Sequence, residues 1–204
     1  MSGLGIGFFF IWILNFGISW LNAWGVGRTW IESKAQGGFT HFVTWCAAIM
    51  SGCGFTWCYL FVLGYLAGTI HYHGHVLLAP RYVNAMIELG YLVIILPIIG
   101  SGIGITISSW QSFWRNRDFA SGGIAAYNTF AQVYNTIDAI RAMPEILRDV
   151  TSVFDDDNRD SNTLVFLLVL LALAAGFFTT FTIIEHAARV KRLEVSAQMA
   201  SLRR

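Results

Sequence analysis

Three histidines alternate in the stretch "HYHGH", as His71, His73 and His75, directly after a long and almost wholly apolar run. Imidazole suits zinc, copper, nickel or iron, so these residue types at this spacing could hold a surface metal. On an extended segment all three rings would share a face, whereas on a helix only His71 and His75 would. No Cys, Asp or Glu lies nearby in sequence to complete a shell, and Gly74 and Pro80 mark a chain leaving a helix. The balance favours a plainer reading, in which the three imidazoles mark the point where a membrane helix reaches water. A second use of histidine would be axial ligation of haem. His41, His71 and His186 fall at the ends of apolar runs, and in a four-span topology His71 and His186 would lie on one membrane face and could meet there.

The other chemical candidates are weaker. In "DDDNRDSN", Asp156, Asn158 and Asp160 stand at positions 1, 3 and 5 of a calcium loop. Ser161 replaces the turn glycine, however, and Leu167 occupies the place of the bidentate glutamate. The stretch reads better as a cap for the helix that follows. "GSGIG" at 100–104 lies inside an apolar run with no lysine after it, so it is not a phosphate loop. Glu88 and Glu185 are the only acids close to the apolar runs, with ion pairing to Arg81 and Arg189 as the simplest role and proton relay as the alternative. No nucleophile–base constellation stands out. An enzyme is not expected, and neither is a cofactor; metal or haem is the minority reading.

The elements that position these residues follow from composition. Of the 204 residues, 55% are hydrophobic and 12% charged, against about 25% charged in a soluble domain. Apolar runs of about 20 residues match the roughly 30 Å hydrocarbon core of a bilayer. The expected fold is all-α: a polytopic α-helical membrane protein with four transmembrane helices. They cover about Leu4 to Val26, Phe39 to Ile70, Met86 to Ser109 and Thr163 to Ile184. Residues 1–110 would hold the first three spans, 111–162 an extramembrane amphipathic insertion, and 163–204 the last span continuing into a basic helical tail.

The insertion itself reads as two helices, because Pro144 fits the first turn of a new one. Ile124, Tyr127, Phe130, Tyr134, Ile137 and Ile140 give the first a broad apolar side, with Asn128, Gln132 and Asn135 as a polar stripe. Ile146, Leu147, Val150, Val153 and Phe154 give the second one apolar face, expected to dock on a protein partner, with the membrane surface or this chain's own spans as the alternatives.

The expected partners are the lipid bilayer and other membrane subunits, copies of this chain included. The net charge of +1 gives no reason to expect nucleic acid. Small residues four apart, Gly3 with Gly7, Gly64 with Gly68, Gly100 with Gly104 and Ala172 with Gly176, favour close helix packing in all four spans. Asn15, Ser19 and Asn22 place a polar stripe on one face of the first span, either hydrogen-bonded between helices or facing a wet pore. Pro97 among Gly100, Gly102 and Gly104 predicts a kinked or unwound third span. Cys46, Cys53 and Cys58 share one apolar run, so an internal disulfide framework is not expected. The N-terminus has no basic residue before its apolar run, which argues for a retained helix over a cleaved signal.

Trp20, Trp24, Trp30, Trp45, Trp110 and Trp114 fall toward one membrane face in this topology. Arg28, Lys34, Arg115, Arg117, Arg148 and Arg159 would share that face, and Arg81, Arg189, Lys191, Arg192, Arg203 and Arg204 the other, so basic residues do not decide orientation. The dense basic tail puts both termini in the cytoplasm, in a bacterial-type inner or plasma membrane. The leading functional expectation is a non-enzymatic membrane subunit of an assembly, acting as scaffold, anchor or pore component. The alternatives are a redox subunit using the histidines and a small channel or transporter.

Overall fold

The computed structural model describes residues 3–72, 74–154 and 159–202, with backbone alone at 3–8, 72 and 154. Among them are five long helices: α1 (Gly3–Gln36), α2 (Gly38–Thr69), α3 (Pro80–Asn116), α4 (Phe119–Phe154) and α5 (Arg159–Ser201). A two-stranded hairpin, β1 (His71–Tyr72) and β2 (His75–Val76), joins α2 to α3. Four helices, all but α4, are long and apolar enough to cross a membrane.

The turns between helices are tight, and the sequence supplies what each requires. Gly37 and Gly38 both take positive φ, 64° and 55°, so the chain reverses between α1 and α2 in a single residue. Arg117 closes α3 in the left-handed region at φ 52° and donates its N–H to the Phe113 carbonyl at 2.7 Å. Asp118 then caps α4, accepting from the Ser121 N–H at 2.8 Å and from the Ser121 hydroxyl at 2.8 Å.

Consecutive helices run antiparallel, with α2 at the centre against α1, α3 and α5. One cluster joins Leu60 and Ala67 of α2 to Tyr82 and Met86 of α3 and Val165, Val169 and Ala172 of α5. A second, toward the other end, joins Ala23 and Val26 to Ala48 and Ile184. Leu14, Leu21, Leu96, Leu171 and Phe178 point outward. That apolar surface is what a bilayer would cover.

Two expectations about the third connection need correction. It is one continuous helix through Pro144, not two. It also does not leave the bundle, because α4 turns back along α3 for its whole length. Phe113 lies against Gly122, Trp110 Nε1 donates to Thr129 Oγ1 at 2.9 Å, Gln132 Nε2 donates to the Ile99 carbonyl at 3.0 Å, and Val153 reaches the Tyr82–Met86 cluster. Likewise α3 runs unbroken through Pro97.

This changes the ends of the bundle. Because α4 crosses the bundle's length, α1 and α5 run parallel. Arg28 pairs with Glu194 at 2.7 Å and Lys191 with Glu32 at 3.7 Å, joining the C-terminal parts of both helices. The first and last helices therefore finish at the same end of the bundle. The long helical tail of α5 is present, with Glu185 and Arg189 paired at 3.2 Å.

Candidate functional site

The hairpin separates the histidines. Its register pairs His71 with Val76 and residue 72 with His75, which sends His71 and His75 to opposite faces of the ribbon. His71 Nδ1 is bonded to the Thr69 carbonyl at 3.0 Å, and His73 lies outside the described residues. His186 stands beside Trp24, ring centroids 5.9 Å apart, at the opposite end of the bundle from His71. The haem pairing of His71 with His186 is thereby overturned, the cause being the extra crossing by α4. His41 uses both ring nitrogens, Nε2 accepting from Trp45 at 3.2 Å and Nδ1 lying 3.3 Å from Ser33 Oγ. Among the described residues, no three of His, Cys, Asp and Glu converge on a metal position. Asp156 and Asn158 of the calcium-like stretch lie outside the described residues.

Of the small residues whose surroundings are described, all but Gly100 lie against another helix of this chain. A side chain at Gly64 would meet Met86 Cε and Val83 Cγ1 at 3.0 and 3.3 Å, and one at Gly68 would meet Val83 Cγ2 at 3.5 Å, so both face α3. Gly104 faces Cys46 and Phe42 of α2, each 3.0 Å from an added Cβ. Gly176 lies against Thr56 and Gly52 at the crossing of α5 and α2, with Ala172 fully buried one turn earlier. Gly100 faces open space. Gly3 and Gly7 fall where only the backbone is described.

The face of Ile146, Leu147, Val150, Val153 and Phe154 is also largely used within the chain. Val150 is buried and Val153 packs on the core, while Leu147 stays exposed and the Phe154 side chain is not described. Of the expected alternatives, Val150 and Val153 take packing within the chain.

What the structure does assemble is a groove with amide side chains along it. Among the described residues no packed interface joins α1 to α4, and the gap between them is floored by α2 and α3. Two cavities lie along it, and a third, between α1, α2 and α3, lies toward the tryptophan-rich end. At the tryptophan-rich end a cavity of about 300 Å³ is lined by polar residues including Glu32, Gln36, Thr40, Gln111 and Arg115. Next, about 320 Å³ lies between Asn22 of α1 and Asn128, Gln132 and Asn135 of α4. Beyond it, about 280 Å³ is lined by Asn15, Trp57, Tyr91, Asn135 and Asp138 among others, Asn135 belonging to both walls.

The α1 stripe thus divides by depth. Asn15 Nδ2 donates to the Gly54 carbonyl at 2.9 Å and contacts Cys58 Sγ at 3.3 Å. Ser19 is buried, its carbonyl accepting from Ser51 Oγ at 2.6 Å. Asn22 instead faces the groove, opposite the stripe of α4. Among the described residues the side chains of Asn22, Asn128 and Asn135 make no hydrogen bond. The meeting of the two stripes could not be read from either helix alone. The signal available was that both carry amides at helical spacing.

The orientation of α4 is informative. Ala139 is 1% exposed on the side toward α3, while Phe130 on the opposite side is 70% exposed. Tyr127, Tyr134 and Ile140 are exposed with Phe130, and Thr129, Gln132 and Thr136 are drawn inward. A helix packed from water puts its apolar stripe inward; α4 is the reverse over Phe119–Ile137, a stretch without one charged residue. Comparison of the chain with protein-family models, with curated proteins and with solved structures finds no match in any of the three.

Proposed function

We propose that this chain is a non-enzymatic integral membrane subunit with five spans, and that its groove is the polar wall of a conduit which a second copy of this chain closes. The observation that carries this reading is the meeting of the amide stripes of α1 and α4 across the two cavities along the groove. In hydrocarbon an unsatisfied amide costs several kcal/mol, so such a wall must meet water, a polar solute or another protein. The charge-free stretch of α4 between Asp118 and Asp138 is about 28 Å long at 1.5 Å per residue, close to the hydrocarbon thickness. Its apolar side faces outward, where lipid would be, and its polar side faces the groove.

Five spans also give the charges a consistent side. Arg28, Lys34, Arg115, Arg117, Arg189, Lys191 and Arg192 gather at the tryptophan-rich end, against Arg81, Arg141, Arg148 and Arg159 in the other half. The positive-inside rule then assigns the tryptophan-rich end to the cytoplasm. The test is solute flux in proteoliposomes. The protein should raise permeability to a small neutral solute such as urea above that of empty vesicles, and combined Asn22→Leu, Asn128→Leu and Asn135→Leu should abolish the increase without loss of fold. Permeability equal to that of empty vesicles would overturn the conduit.

A further inference from the structure

We propose that the cavity at Asp138 is a binding site for a small organic ammonium ion, and that Asp138 is the residue that selects it. The inference deepens the conduit reading and rests on the same groove. Asp138 is the first charge on α4 after the amide stripe, about one hydrocarbon thickness from Asp118, so it stands where the groove nears the end opposite the tryptophans. Among the described residues it forms no ion pair, which leaves its carboxylate available to a mobile cation.

The rest of the lining fits the same chemistry. Trp57 and Tyr91 bring two aromatic rings to the cavity, and an ammonium group is attracted to an aromatic face, most strongly that of Trp. Asn15 and Asn135 add amide oxygens that can accept from N–H donors, while the aliphatic wall from Ile94, Ile95 and Ile98 suits methyl groups over a hydration shell. Size agrees. At about 280 Å³ the space sits just below the range of drug-sized pockets and far above one water's share of about 30 Å³, so it fits a small organic ion.

The experiment is equilibrium binding of radiolabelled tetramethylammonium to the full chain in nanodiscs, with sodium chloride as competitor. The wild type should bind saturably. Asp138→Asn should weaken binding at least tenfold and Trp57→Leu several-fold, while Glu145→Gln, on the same helix but outside the cavity, should leave it unchanged. An excess of sodium should displace the ligand only weakly. Absence of saturable binding, equal binding by Asp138→Asn, or displacement by sodium at equal concentration would each overturn the assignment. Binding is read without flux, so the two readings fail separately: urea flux with no ammonium binding removes the site and keeps the conduit, and the converse removes the conduit and keeps the site.

Discussion

The α2–α5 crossing and the α1–α4 groove use similar residues to opposite ends. At the crossing, glycine brings backbone against backbone and every hydroxyl is taken. Gly176 lies against Gly52 and Thr56, Thr56 Oγ1 donates to the Gly52 carbonyl at 2.8 Å, and Ser51 Oγ lies 3.4 Å from Thr180 Oγ1. In the groove, Asn22, Asn128 and Asn135 line a cavity, and among the described residues their side chains make no hydrogen bond. A polar residue in an apolar helix is therefore not a function by itself. It is a structural bond where a neighbouring helix comes close and a wet wall where none does.

The largest effect is expected from filling the glycine at the crossing, set against a glycine that no helix covers. Gly176→Leu should prevent folding or cost several kcal/mol, because its added atoms meet the Thr56 backbone nitrogen at 2.6 Å and the Gly52 carbonyl oxygen at 2.9 Å, and backbone cannot move aside cheaply. Gly100→Leu, facing open space, should leave thermal stability in detergent nearly unchanged. Equal tolerance at the two positions would remove the distinction.

A smaller effect is expected from single hydroxyls and amides. Thr180→Val keeps the buried shape at the crossing and should lower stability by roughly 1 kcal/mol. Asn128→Leu in the groove should leave stability the same or higher, since it removes a polar side chain with no protein partner, yet should reduce solute flux. Chemical denaturation read alongside flux checks both.

The smallest predicted effect lies at the α3–α4 turn, which holds α4 in its reversed course. The Ser121 N–H and hydroxyl hold the Asp118 carboxyl below the usual carboxylate range. A depressed folded value means that the cap contributes fully above the ordinary carboxylate pKa of about 3.9 and is lost as pH falls through the lower folded value. Asp118→Asn should therefore flatten the acid limb of a stability–pH profile below about pH 4, and an unchanged limb would remove the cap from the account.

Much of the helical content was legible because charge-free runs of the right length leave little alternative. The tryptophan-rich end and the long α5 followed from the same patterns. The course of α4 did not follow, for a physical reason. Hydropathy averages over a helix, and α4 mixes amides and threonines with aromatics, so its average falls below that of a span although its apolar residues face outward. Pro144 reinforced the misreading, since an interior proline costs one hydrogen bond but need not end a helix. The groove followed that error out of view: Asn22 could be seen on α1 and Asn128 on α4, but their juxtaposition depends on α4 lying along α3. The histidine alternation misled in the other direction, because a hairpin register, unlike a single extended strand, parts His71 from His75.

The central claim is that α4 crosses the membrane with the other four helices, and sidedness tests it most directly. His75 lies in the exposed hairpin and Ser201 is the last residue of α5, while Cys46, Cys53 and Cys58 are buried and should stay unlabelled. His75→Cys and Ser201→Cys, made separately, are exposed to a membrane-impermeant maleimide in intact cells and in inverted vesicles. The account predicts that the two positions label from opposite sides, Ser201→Cys only in inverted vesicles and His75→Cys only in intact cells. Labelling of both from the same side would return α4 to the membrane surface and contradict the account.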